Sequence, residues 1–295
     1  MANLHTWEIT IAILAVVILV DLAIALLRRN SATSMSEAAG WTLFYVAAAI
    51  FFGTQIPHLV DSPSAQGEFF AGWLTEYALS VDNIFVFVII LAKLKVQKEK
   101  QQLVLLYGIL IAIILRGLFI FAGAALISRF TSIFFLFGAF LIYTAIKLVK
   151  DDEKEEADHI EHGRVITFMR KRGASTFSIA LVAVGTTDLL FALDSIPAIF
   201  GITKDPYIVA TANIFALMGL RQLYFLLQGL MTRLVHLSRG LSVILAFIGV
   251  KMIFEAAHSL GAHVPEIGIE LSLSVIIVTL MVTTVTSLIS TRKNS

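Results

Sequence analysis

The chain has 295 residues and no cysteine, which excludes disulfides, thiolate chemistry and any cysteine-based metal or redox centre. Charge is also scarce. Asp, Glu, Lys and Arg make up 15% of the residues while 58% are hydrophobic, and the mean hydropathy is +0.88. A soluble domain carries about 25% charged residues, so this composition describes a polytopic membrane protein. No Lys or Arg precedes the first apolar run, whereas Arg28 and Arg29 follow it directly. A cleavable signal peptide has the opposite polarity, so the run reads as a retained anchor. The net charge of +1 gives no reason to expect a nucleic-acid partner; the expected surroundings are lipid.

Apolar runs near the ~20 residues that cross a bilayer occur at Ile9–Leu27, Trp41–Ile56, Phe69–Leu91, Leu103–Ile127, Ile133–Val149, Ser178–Phe200, Tyr207–Leu230, Leu241–Ala257 and Ile269–Ile289. They predict an all-α protein of about nine transmembrane helices. Alternate loops differ sharply in charge. One set carries Arg28, Arg29, Lys93, Lys95, Lys98, Lys100, Lys150, Lys154, Arg164, Arg170, Lys171, Arg172, Arg233, Arg239, Arg292 and Lys293; the other carries only Arg129 and Lys204. The positive-inside bias then places the N-terminus outside and the C-terminus in the cytoplasm.

The polar stretch at 150–172 opens with acidic residues and ends Arg-Lys-Arg, as a solvated cytoplasmic linker would; His159, Glu161 and His162 within it are weak metal-sensing candidates. It separates two halves of one transmembrane domain, about 69–149 and 175–257, flanked by peripheral helices at 9–27, 41–56 and 269–289. The first half contains Glu76, Asp82, Arg116 and Lys147 in order, and the second Asp188, Asp194, Arg221 and Lys251. Acid, acid, arginine and lysine recur in register within segments that normally tolerate none. With three spans each, the halves enter the membrane from opposite sides, the inverted repeat on which many secondary transporters are built.

A carboxylate at the centre of a transmembrane helix costs about 3 kcal/mol on insertion scales, so four cost on the order of 10 kcal/mol unless neutralised. Asn83 and Ser195 stand beside two of them, which gives an oxygen-only set suited to hard divalent cations such as Mn2+, Mg2+ or Ca2+. No intramembrane histidine pair favours a softer metal. Arg116, Arg221, Lys147 and Lys251 formally balance the four acids, so a cation could be exchanged for protons or another cation. A separation of six residues puts Glu76 and Asp82, or Asp188 and Asp194, about 120° apart on a regular helix. Pro197 predicts an opened backbone in the sixth span that would bring its two acids to one cavity; Ser80, Asp82 and Asn83 are the corresponding candidates in the third.

Asp21, in the first span, lies outside the repeat and reads as a packing or interfacial acid near Arg28. Glu255 and His258 can share a helix face, with His263, Glu266 and Glu270 following; they are an ordinary wetted interface or an ion entry or exit site.

The stretches Glu76-Tyr-Ala-Leu-Ser-Val-Asp82-Asn83-Ile-Phe-Val, Asp188-Leu-Leu-Phe-Ala-Leu-Asp194-Ser195-Ile-Pro197-Ala and Asn213-Ile-Phe-Ala-Leu-Met-Gly-Leu-Arg221-Gln-Leu-Tyr-Phe resemble those of the TerC family of integral membrane proteins. The resemblance covers nearly the whole chain. It implies kinship with LysE-type transporters, a bacterial inner-membrane location and outward transport of manganese, with Glu76, Asp82, Asn83, Asp188, Asp194 and Ser195 handling the ion and no prosthetic group. Alternatives are an accessory protein that hands Mn2+ to secreted enzymes and a tellurite resistance exporter. An enzyme is not expected: an intramembrane aspartyl protease would carry Gly-x-Gly-Asp, and neither Asp82 nor Asp194 follows that pattern. Protein partners are not legible.

Overall fold

A computed structural model describes residues 3–27, 34–130, 132–150, 163–228 and 236–293, without the side chains of Ala25, Asp82, Lys98, Glu99, Ser128, Lys150, Arg164, Gln228, Arg292 and Lys293. His159, Glu161 and His162 lie outside the described residues. Those described form helices and no strand: α1 (Leu4–Leu27), α2 (Met35–Leu59), α3 (Ala65–Lys93), α4 (Lys98–Arg129), α5 (Ile133–Lys150), α6 (Arg164–Lys171), α7 (Thr176–Phe200), α8 (Pro206–Leu217), α9 (Leu220–Gln228), α10 (Leu237–Ser259) and α11 (Ile269–Lys293). Helix is what lipid demands, because each backbone N–H and C=O must find its partner within the segment. Polar residues mark the starts. Ser175 Oγ accepts from the Ser178 N–H at 3.1 Å, and Asp205 Oδ1 from the Tyr207 N–H at 2.9 Å with Pro206 opening α8.

Seven of these helices are long and apolar enough to cross a membrane, and the pair α8–α9, bent by 42°, makes an eighth. The ninth expected span corresponds to α5, a shorter apolar helix over Ile133–Val149. The bend falls at Met218 and Gly219. Gly219 has φ +89° and its Cα lies against the Tyr45 ring, so a Cβ there would come within 2.9 Å of that ring. Only glycine meets both conditions without strain. The sixth span, by contrast, is continuous: α7 runs unbroken through Pro197 to Phe200, and the Gly201 N–H still donates to the Pro197 carbonyl at 2.9 Å. The expected opening at Pro197 is therefore absent, and the broken span is the one after it. The basic end of the expected linker is also more than a solvated strand of charge, because it forms α6, whose buried Ile166 packs with Val86 and Ile90 of α3 and Ile179 of α7.

α3 is central, with 76% of its most apolar window buried, against 11%, 22% and 17% for α1, α2 and α11. The last three turn most of their surface to lipid. Three pairings dominate the bundle: α5 with α10, α4 with α7, and α3 with α8. The first rests on a glycine crossing in which a Cβ on Gly138 would lie 2.6 Å from the Gly249 carbonyl oxygen and one on Gly249 2.8 Å from that of Gly138, the close approach small residues permit between membrane helices. The second, together with a further pairing of α3 with α7, sets α3 and α4 against α7, and the ionisable residues meet between them.

Candidate functional site

Arg116 of α4 is 1% exposed, and nothing but an ionised partner makes a buried guanidinium tolerable. It has two. Its Nη1 pairs with Glu76 Oε1 of α3, itself 1% exposed. On the other side Nη2 donates to Asp188 Oδ1 of α7 at 3.1 Å and Nε to Oδ2 at 3.4 Å, a two-point contact that fits the planar guanidinium. Ser195 Oγ accepts from Nη1 at 3.3 Å. One cation is thus shared by an acid of each half of the chain. Polar groups on α3 and the adjacent α8 are incompletely satisfied: Glu76 Oε2, Trp73 Nε1, Thr75 Oγ1 and Ser80 Oγ on α3, and Asn213 Nδ2 on α8, are buried without a hydrogen-bond partner. Buried polar atoms are normally paired, and exceptions gather where function needs them.

The second acid of α7 faces elsewhere. Asp194, half-buried, accepts from Thr144 Oγ1 of α5 at 3.0 Å, as the ~120° offset of a regular helix requires. Asp188 therefore belongs to the α3–α4–α7 junction and Asp194 to the α5–α7 junction. Asn83 is buried in α3 one residue beyond Asp82. Among the described residues no three His, Asp or Glu side chains are arranged to hold a metal ion. Of the oxygen set expected from the sequence, Glu76, Asp188 and Ser195 meet around the Arg116 guanidinium and Asp194 meets Thr144; the side chain of Asp82 lies outside the described residues.

The other expected counter-charges are dispersed. Arg221 of α9 does not join the repeat's acids: its Nη2 donates to Asp21 Oδ1 of α1 at 2.7 Å, and Gln222 Nε2 donates to the same oxygen at 3.0 Å. Of the two readings of Asp21, the packing one fits: it holds α1 against α9 through a residue 200 positions away, while Arg28 lies outside the described residues. Lys147 is exposed on α5, and Lys251 lines a cavity at the end of the bundle formed by the start of α3 and the end of α10. Glu255, His258 and Glu266 line the same cavity, with Glu255 paired to Lys204 at 2.5 Å and His258 to Glu266 at 3.2 Å; His263 and Glu270 are exposed. Glu68 and Thr203, which no sequence pattern singled out, face each other there at 2.5 Å.

Compared with known proteins, residues 61–295 match the profile of the integral membrane protein TerC family. The chain is 41% identical to an uncharacterised membrane protein of Mycobacterium tuberculosis, with 97% of this chain and 79% of that one aligned. It is 39% identical to an uncharacterised membrane protein of Myxococcus xanthus, over 97% and 92% of the two chains. It is also 37% identical, over 94% and 92%, to an Escherichia coli protein named "Putative membrane-bound redox modulator Alx". No solved structure matches.

Proposed function

Because the chain belongs to the TerC family of integral membrane proteins, we propose that it is a bacterial inner-membrane transporter that moves Mn2+ or a similar hard divalent cation outward. The observation that carries this reading is the burial of Arg116 between Glu76 and Asp188. Buried acids on two halves of a membrane bundle, bridged by a cation the protein supplies itself, form a place where a cation can be exchanged. A divalent ion displaces the guanidinium and takes the carboxylates, Ser195 and the unpaired oxygen of Ser80, one turn after Glu76 on the same face of α3, all hard ligands. When the ion leaves, Arg116 returns and the empty carrier stays neutralised. An anion such as tellurite would be repelled by the same carboxylates.

The helix pairings support an inverted repeat of α3–α4–α5 and α7–(α8–α9)–α10. Exchanging the halves maps the α4–α7 pairing onto α3–α8 and the α5–α10 pairing onto itself, as a two-fold axis in the membrane plane requires. The 18 residues of α5 rise about 27 Å, close to the ~30 Å hydrocarbon thickness, so we count α5 as a crossing, with the N-terminus outside and the C-terminus in the cytoplasm. The name of the Escherichia coli relative suggests a redox role; without cysteine, this chain would not exercise it through thiols.

The test is Mn2+ flux in vesicles containing only this protein. We expect transport in the wild type and none in Asp188→Asn, with the variant still inserted, since removing an acid eases insertion. No flux in the wild type, or wild-type flux in Asp188→Asn, would reject the reading.

A further inference from the structure

At the end of the bundle assigned to the outside lies a cavity of about 470 Å³, lined from α3 by Glu68, from the end of α7 by Phe200, from the following loop by Thr203, and from α10 by Lys251, Phe254 and Glu255. Its size is the first clue. A hard divalent ion gives up its waters reluctantly, and six waters at ~30 Å³ each occupy roughly 180 Å³, so the cavity holds a hydrated ion with room to spare. The space beside Asp188 is about 20 Å³ and walled by Ile84, Phe87, Val184 and Leu217, which suits only an ion stripped of most of its shell.

The position is the second clue. Glu68 precedes Glu76 on α3 by eight residues, about 12 Å along the axis. Phe200, 1% exposed, closes the cavity on the inner side and presses on α4 at Gly123, where a Cβ would come 2.8 Å from its ring. Gly123 lies seven residues after Arg116, two turns along nearly the same face of α4, and Phe200 lies five residues after Ser195, which holds Arg116. Phe200 is the cavity-lining member of the apolar layer, with Ile199 packed on Gly72 of α3, that lies between the cavity and the guanidinium site. The charges are the third. Glu68 accepts from Ser64 at 2.7 Å and from Thr203 at 2.5 Å, and Glu255 is shared with Lys204 at 2.5 Å. Carboxylates with lysines beside them hold a cation weakly, as an exit requires.

We infer that this cavity is the outer mouth of the transport path, where Glu68 and Glu255 hold a hard divalent cation as it regains its water, and that Phe200 seated on Gly123 is the gate to the Arg116 site. The assignment rests on the exporter reading. The natural absence of cysteine lets a single introduced thiol report its own position without background. In right-side-out vesicles, a membrane-impermeant methanethiosulfonate should modify Phe254→Cys in the cavity wall and spare Ala192→Cys, which lies behind the gate between Asp188 and Ser195. Adding Phe200→Ala, or the milder Phe200→Leu, should expose the second thiol. Millimolar Mn2+ should slow modification of Phe254→Cys several-fold, and Glu68→Gln with Glu255→Gln should remove that protection. Reaction of Phe254→Cys only from the cytoplasmic face, an Ala192→Cys thiol open before Phe200 is changed, or no protection by Mn2+ would each overturn the inference. Protection without Mn2+ flux would reject the exporter reading and keep the cavity site; flux without protection would do the reverse.

Discussion

Arg221 and Asp21, 200 residues apart in the chain, meet at 2.7 Å between α9 and α1, with 10% and 20% of their side chains exposed. The contact ties the first helix to the bent span two residues beyond Gly219. It also divides the work of two arginines that hold matching places in the sequence pattern, since Arg116 serves Glu76 and Asp188 and Arg221 serves Asp21.

Losing one member of such a pair leaves an uncompensated charge in a low-dielectric surrounding, which costs about 3–5 kcal/mol. Asp21→Asn and Arg221→Gln should each lower the thermal midpoint of the purified protein strongly, and the double variant should be more stable than the sum of the singles predicts. Strictly additive losses would mean that the two side chains do not depend on each other.

Much of the candidate site was legible because membranes make charge conspicuous. Glu76, Asp188 and Arg116 stand out in apolar runs, and the helical offset of Asp188 from Asp194 follows from spacing alone. What spacing does not contain is which helices become neighbours. The recurring order of charged residues sets Arg221 in register with Arg116, yet nothing in that order predicts that α1 will cover α9 and offer Asp21. The break was misplaced for a related reason: Pro197 is a strong local signal, yet α7 carries on through it to Phe200, whereas Gly219 reads as an ordinary glycine until its positive φ and the Tyr45 ring are seen together. α6 was missed because its basic residues dominate an eight-residue segment in which Ile166 supplies the buried contact.

The glycine crossing gives a sharper packing test. Gly249→Ala would drive a methyl to 2.8 Å from the Gly138 oxygen and 2.9 Å from Ile142, and overpacking of this kind costs about 1–3 kcal/mol. Gly117 on α4 has nothing within 4 Å of its would-be Cβ, so Gly117→Ala should be neutral or gain ~0.5–1 kcal/mol from backbone entropy. Equal thermal midpoints for the two variants would show that α5 and α10 do not touch at this point.

Topology can be checked independently of transport. The loop charges predict that reporters fused at Ser64 and Gly261 lie outside and those at Glu156 and Asn294 in the cytoplasm. Tags at Met1 and Asn294 found on one side of the membrane would contradict an odd number of crossings and, with it, the opposed orientation of the two halves.

The sharpest chemical test concerns Arg116, because the exchange reading makes it a competitor of the transported ion. If Mn2+ must displace the guanidinium from Glu76 and Asp188, then removing the guanidinium removes the competition. Arg116→Gln should bind Mn2+ at least about tenfold more tightly, equivalent to ~1.4 kcal/mol, yet carry it more slowly, since the empty carrier no longer has a cation with which to neutralise its acids and release is opposed. Arg116→Lys keeps the charge but loses the planar fork that reaches both carboxylates, so it should fall between the wild type and Arg116→Gln in both measurements and guards against reading an unfolded variant as a transport defect. Glu76→Gln should move affinity the other way by deleting a ligand. Calorimetric titration of the purified variants with Mn2+, beside flux in vesicles, separates affinity from turnover: weaker binding in Arg116→Gln would make the arginine part of the ion's own coordination scaffold, and unchanged binding with unchanged flux would reduce it to a strut between α3 and α7.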